Sequence, residues 1–385
     1  MKKLNIKKLN IKKYPLVIIF GVAILVMFVL FLVLPENDFS EVENRTLQTM
    51  PSFSISGLAD GSFMSRFETY TTEQLPFREN LVKAKALIKQ LSLSNENNGI
   101  VKGKDGYLFE TTYGISDQYR KNCAAIEKFT SEMDRPLYIA IVPTAPAILS
   151  DFAPKGFRTI DQKKEIADLY AGISENENVV CVDLYDVMTD HLDEQMYYRT
   201  DHHWTSKAAY YAYCEIVDTI SELTDKELGK PVESDSLEEH CVNDFYGTHY
   251  AKFKQAEVEP DTLTYYDIPI ENFKRSDGEY DSLYDLNKLS VYDKYAVFLR
   301  GNDDLAVIDS NNSNDGRNLI IFKDSYANCL IPFLTYQYDT ITVVDLRYYS
   351  DSVSELLDDD TTADIMLLYN FDFLNEDNHF YRLTS

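Results

Sequence analysis

Residues 318–328 read NLIIFKDSYAN, and the fold turns on how this stretch is understood. The aliphatic run to Phe322 has no polar alternation, which marks a strand buried on both faces. Lys323, Asp324 and Ser325 form a polar turn, and an apolar stretch with helical spacing follows from Tyr326 to about residue 335. Strand, short turn and helix in direct succession are the unit of a parallel sheet.

The same rhythm runs outward in both directions. Towards the C-terminus it predicts a strand at 340–346, a helix at 353–357 and a strand at 365–369; upstream it predicts a helix at 119–133, a strand at 137–142, a helix at 161–173 and a strand at 179–184. Five mostly continuous apolar strands imply a three-layer α/β/α sandwich on a parallel sheet. Residues 223–302 break the rhythm. They are acidic and tyrosine-rich, with short alternating runs, and are expected to form an inserted irregular or β region.

The chain N-terminal to this domain reads differently. Residues 16–34 are nineteen positions without a charge, about 28 Å as a helix at ~1.5 Å per residue, enough to cross a bilayer. Six lysines precede this run and no acid does, so the expected topology is a single-pass anchor with a cytoplasmic N-terminus and everything from Pro35 outside. A signal peptide would have a shorter apolar core and a small-residue cleavage site, whereas here PENDFSEVENR follows directly. The expected organisation is a basic tail at 1–13, an anchor at 14–34, a stalk and helical region at 35–118 with a break at Pro76, and the α/β domain at 119–385.

Without the six N-terminal lysines, 31 basic residues face 63 acidic ones, a net of −32. Such a surface repels nucleic acid and anionic lipid, and nucleic acid is not an expected partner. Cys123, Cys181, Cys214, Cys241 and Cys329 are odd in number and widely spaced, and predict neither a disulfide framework nor a zinc site. No metal and no cofactor is expected.

Sites on open parallel sheets lie beyond the carboxyl ends of strands. Ser325 stands at such an end and at a helix start, where free N–H groups favour an oxyanion, so it is the candidate nucleophile; the plainer reading makes it only a helix cap. The second half of the site is the loop Asp201-His202-His203-Trp204, in YRTDHHWTSKAAYYAY at 198–213, which enters a helix capped by Thr205 or Ser206. In extended chain, residues two apart face the same way, so Asp201 and His203 share a side while His202 points elsewhere. That pairing gives an imidazole whose tautomer a carboxylate fixes. The plainer reading is a pair of hydrogen-bonded histidines with Asp201 as cap. Gly301 and Asn302, after an expected strand at 295–300, are candidate oxyanion donors, and Tyr326 a candidate for oxyanion or substrate contact. Tyrosine pairs at 197–198, 265–266 and 348–349 are candidate platforms for sugar rings, which would suit a polysaccharide-binding or assembly protein instead.

DHHW at 201–204, YGTHYAK at 246–252, FLRGN at 298–302, KDSYAN at 323–328 and DLRYY at 345–349 together resemble the DHHW family of membrane-anchored bacterial surface proteins. More distantly, LPFR at 75–78, GKDGYLF at 103–109, the Asp-x-His pair and the Asp-Ser turn resemble the SGNH-like domains of alginate and related exopolysaccharide O-acetyltransferases. In that group the serine is acylated, the histidine is the base and the aspartate orients it, roles that the resemblance carries to Ser325, His203 and Asp201. The chain order Asp, His, Ser inverts that of ordinary SGNH hydrolases and agrees with the acetyltransferase branch. Lys323 stands where the SGNH serine block usually has glycine, and Gly301-Asn302 is a loose counterpart of the oxyanion blocks. The resemblance implies an extracytoplasmic O-acyltransferase with a polysaccharide acceptor and a membrane-bound O-acyltransferase or acyl carrier as donor. The same three residues serve an O-acetyl esterase.

Overall fold

The computed structural model describes residues 14–40, 45–59, 61–91, 95–112, 114–224, 228–254, 258–312 and 314–385. The basic tail at 1–13 lies outside them. The chain forms two compact units, 1–92 and 93–385.

In the first unit, helix α1 (Pro15–Val33) has mean hydropathy 3.4 and no buried residue, and is long and apolar enough to cross a membrane. Pro15 starts it, where a missing N–H costs nothing. Helices α2 (Ser62–Glu73) and α3 (Arg78–Leu91) follow, parted around Pro76 as the sequence implies, with Phe77 in left-handed backbone at φ 58°.

The second unit begins upstream of the expected α/β boundary at 119. Its opening sheet joins Glu96–Asn97, Ile100–Lys102 and Leu108–Glu110 antiparallel, so GKDGYLF is the turn and strand start of a hairpin. The main sheet has eight strands: β1 (Leu137–Val142), β2 (Val179–Val182), β3 (Ile270–Arg275), β4 (Gly278–Tyr280), β5 (Leu305–Ser310), β6 (Asn318–Lys323), β7 (Thr340–Val344) and β8 (Asp364–Asn370). Their order is β4-β3-β5-β7-β6-β8-β1-β2, parallel from β7 to β2 and antiparallel at the β3, β4 and β5 edge.

The five expected strands are therefore the parallel part, and the sheet is larger than expected. Part of the presumed insertion, β3 and β4, belongs to the sheet itself. β5 buries alternate residues, as suits a strand with one covered face, whereas β3 buries only Ile270 and Phe273, on either side of a register shift, and β4 buries none. Strands β1 and β8 bury every position, and β6 all but its first. On β1, Tyr138, Ala140 and Val142 join the core beneath helix α6 (Ser206–Leu223), while Leu137, Ile139 and Ile141 join the core beneath α4 (Asp117–Ser131) and α5 (Gln162–Ile173). Three layers follow from that alternation. The rest of 223–302 supplies a separate hairpin, Glu239–Phe245 with Asp261–Tyr266, enclosing the short helix α7 (Thr248–Phe253).

Two local expectations fail. The helix expected from Tyr326 is a 3-10 turn, Ser325–Cys329, followed by one short α turn, Ile331–Leu334. Pro332 cannot donate to a longer helix, and Asp324 takes the Tyr326 N–H for itself. The strand expected at 295–300 is a 3-10 turn, Lys294–Val297, after which Leu299, Arg300 and Gly301 all adopt positive φ. Arg275 holds that unusual backbone by donating Nη1 to the carbonyls of Leu299 and Gly301. All five cysteines are free thiols.

Candidate active site

Ser325 opens the 3-10 turn at the carboxyl end of β6. The turn is anchored by Asp324, whose buried carboxylate accepts from Tyr326 N at 2.8 Å and from Asn370 N and Nδ2, both at 2.7 Å. Asn370 ends β8, so one carboxylate ties two neighbouring strand ends together. Burial pushes the Asp324 pKa up to about 6, against those donors.

The loop that faces Ser325 is closed at its base by a β-bridge between Tyr197 and Trp204. Thr205, not Asp201 or Ser206, caps α6, its hydroxyl accepting from Ala208 N at 3.2 Å. Asp201 is thereby free for another task. Its Oδ1 accepts from His203 N at 3.0 Å and lies 2.5 Å from His203 Nδ1; its Oδ2 accepts from Thr248 N at 2.7 Å and from Thr248 Oγ1 at 3.1 Å. His203 Nε2 lies 2.8 Å from Ser325 Oγ. Burial raises the Asp201 pKa, but His202, His203 and the Thr248 N–H together hold it well below the usual carboxylate range. An ionised carboxylate only accepts, so the proton sits on Nδ1 and Nε2 is left to accept from the serine.

The neighbours fix this line. Tyr295 stacks flat on the His203 ring, centroids 3.7 Å apart and planes within 8°. Trp204 Nε1 donates to the Tyr326 carbonyl at 2.9 Å, and the Tyr326 hydroxyl donates to the His202 carbonyl, so loop and turn are stitched on both sides. His202 turns outward: its side chain is 39% exposed against 6% for His203, and its Nδ1 lies 2.7 Å from Thr248 Oγ1.

Asp201, His203 and Ser325 are thus in one hydrogen-bonded line. Gly301 and Tyr326 are not positioned as oxyanion donors: Gly301 N donates to Phe298 O at 3.0 Å, and Tyr326 N to Asp324. Asn302 is held differently. Its Oδ1 accepts from Lys323 Nζ at 2.9 Å and from Asn328 Nδ2 at 3.1 Å, while its own NH2 has no partner among the described residues. Of the tyrosine pairs, Tyr197 and Tyr198 are core residues rather than a platform, whereas Tyr348 is exposed.

Four residues that sequence reasoning missed complete the site: Gly247 and Thr248, which reach Asp201; Tyr295; and Asn370. The YGTHYAK stretch was a visible signal for the first two, though not for what they touch. Asp201, His202 and His203 offer possible metal-ligand atoms within 4.8 Å of one another, as do Glu238, His240 and Asp267. In the first group both His203 nitrogens and His202 Nδ1 already have hydrogen-bond partners.

The family model described as DHHW protein matches residues 94–344. A DHHW family protein from Eubacterium siraeum is similar in structure, with TM-score 0.62 and 25% identity, over 75% of this chain and 97% of that one. Bacillus cereus PatB1, solved with a sulfonyl adduct, matches with TM-score 0.60 and 18% identity over 74% of this chain and 98% of its own. The O-acetyltransferase domain of Pseudomonas putida AlgJ is a weaker likeness, with TM-score 0.46 and 16% identity over 73% and 93%. Among curated proteins no sequence matches. The fold expected from the sequence, an SGNH-like α/β sandwich, is the fold found.

Proposed function

The chain belongs to the DHHW family, and from that premise we propose that it is an O-acyltransferase, for acetyl groups, acting on a polysaccharide through an acyl-serine. The observation that carries the reading is the line from Asp201 through His203 to Ser325, with contacts of 2.5 and 2.8 Å. Both are within the reach a proton relay needs.

Ser325 Oγ attacks the donor's acyl carbon while its proton passes to His203 Nε2, and Asp201 stabilises the imidazolium. The tetrahedral intermediate collapses, the C–O or C–S bond to the donor breaks, and the leaving group takes the proton from Nε2. A sugar hydroxyl then gives its proton to Nε2 and attacks the acyl-serine, and Ser325 recovers its proton as the new ester forms. Water in the acceptor's place gives an esterase.

Helix α1, by length and composition, and the lysines before it support a membrane anchor with unit 93–385 outside. Acetyl-CoA is absent there, so the donor is an acyl group delivered by a membrane carrier or a membrane-bound O-acyltransferase. The test is polymer acetylation in cells carrying Ser325→Ala, with a candidate oligosaccharide assayed in vitro. Loss of polymer acetylation, and acetylated sugar formed at the expense of acetate, is the expected result. Acetate released regardless of sugar would make it an esterase; unchanged acetylation with lost export on deletion would make it an assembly protein.

A further inference from the structure

Lys323 takes no part in the proton relay, yet it is 1% exposed and sits two residues before Ser325. A buried ammonium is unfavourable unless it is paired and hydrogen-bonded. Here it donates to Asn302 Oδ1 and Asn328 Oδ1, both at 2.9 Å, and faces Asp345 Oδ2 at 3.5 Å. Asp345 is gripped in turn by Arg347, Nε to Oδ1 at 2.9 Å and Nη2 to Oδ2 at 2.6 Å. Such a buried pair is weak evidence for stability, since well-packed apolar residues often serve as well. The three motifs FLRGN, KDSYAN and DLRYY meet in this one cluster, and nothing in the proton relay requires it.

We propose that Lys323 is a positioning residue for acyl transfer: it turns the Asn302 amide so that its NH2, together with the Ser325 backbone N–H, receives the oxyanion. The proposal rests on the acyl-serine reading.

An ammonium has donors only, so both asparagines must present oxygen to it, and the orientation of each amide is fixed. Asn328 then gives its NH2 to Asn302 Oδ1. With two donors on its oxygen, Asn302 has its NH2 left over, unpartnered among the described residues. Its place follows from the turn. Side chains three apart in a 3-10 helix eclipse, so Asn328 lies on the same face as Ser325, and its partner Asn302 is drawn to that face. The strand ends agree: Asp345 N donates to Asp304 O at 3.2 Å, which places residues 302–304 on the rim beside the ends of β6 and β7. The Ser325 N–H is the other donor: it has no partner among the described residues, and the Asp324 side chain takes the N–H of Tyr326 instead. Burial pushes the Lys323 pKa down to about 8, against the pull of Asp345, which keeps the ammonium predominantly protonated at neutral pH.

The test measures kcat and KM for an activated acetyl ester with the full-length chain in detergent, alongside unfolding followed by Trp204 fluorescence. Lys323→Met removes the donors, Asn302→Ala removes the amide, and Asn302→Asp keeps an oxygen for Lys323 while removing the NH2. Each substitution should lower kcat by ~10²-fold or more with little change in KM, as expected for the loss of one oxyanion donor. The double variant Lys323→Met with Asn302→Ala should be no slower than Asn302→Ala alone. If Lys323→Met does not fold, Asn302→Asp decides, because it preserves the contact with Lys323 and lies at the exposed rim. Full activity of Asn302→Asp, or losses that multiply in the double variant, would overturn the proposal. A wild-type protein that never acylates Ser325 would instead overturn the reading on which it rests.

Discussion

Gly247 lies against Asp201 so closely that a Cβ at position 247 would stand 2.2 Å from the Asp201 carboxylate. The glycine is not there for its backbone, since its φ of −92° is open to any residue. It is there because Thr248, the next residue, must bring its N–H to within 2.7 Å of Asp201 Oδ2.

Gly247→Ala should therefore displace Asp201 or α7. With Nδ1 of His203 no longer fixed, kcat for an activated acetyl ester should fall by ~10²-fold or more, since an Asp-to-Asn change in a comparable triad costs ~10⁴. Urea denaturation should show the protein still folded. Unchanged kcat would mean that the close contact has no bearing on the site.

Trp204→Phe tests the stitch between loop and turn. The indole is fully buried and its N–H reaches the Tyr326 carbonyl. Losing that bond should cost about 1 kcal/mol in chemical denaturation, and kcat should fall with it because Ser325 precedes the released carbonyl. A stability loss without any change in kcat would confine Trp204 to packing.

Asp324 supplies a pH signature. Its folded pKa, about 6, lies above the ordinary 3.8, so the folded state binds the proton more tightly, and ionising the group costs stability as pH rises from about 4 to 6. At roughly 1.4 kcal/mol per unit, the cost approaches about 3 kcal/mol above pH 6. Asp324→Asn carries no such charge. Its stability relative to wild type should therefore improve across that interval and then level off. A difference that stays constant between pH 4 and 7 would contradict the raised pKa of Asp324.

What the sequence disclosed and what it hid have separate physical causes. Strand β1 was legible because all six of its residues feed one core or the other, which leaves a run with no polar break. Strand β5 covers one face, and its alternation resembles that of any short exposed strand, while β3 buries only Ile270 and Phe273 and has no strand period to read. The Asp201 and His203 pairing could be read from parity alone. Gly247 and Thr248 could not, because their partner is more than forty residues away and neither residue type signals a carboxylate. Tyr295 gave no signal either: a tyrosine that stacks on an imidazole reads like one that packs in a core.

The most direct test of the central claim is the mass of the protein after brief exposure to an activated acetyl ester, followed by peptide mapping. One acetyl group on the peptide containing Ser325 is predicted for wild type, none there for Ser325→Ala, and sharply slowed labelling for His203→Ala, with His202→Ala close to wild type. Acetylation elsewhere only, or labelling of Ser325 at an unchanged rate in His203→Ala, would contradict the account.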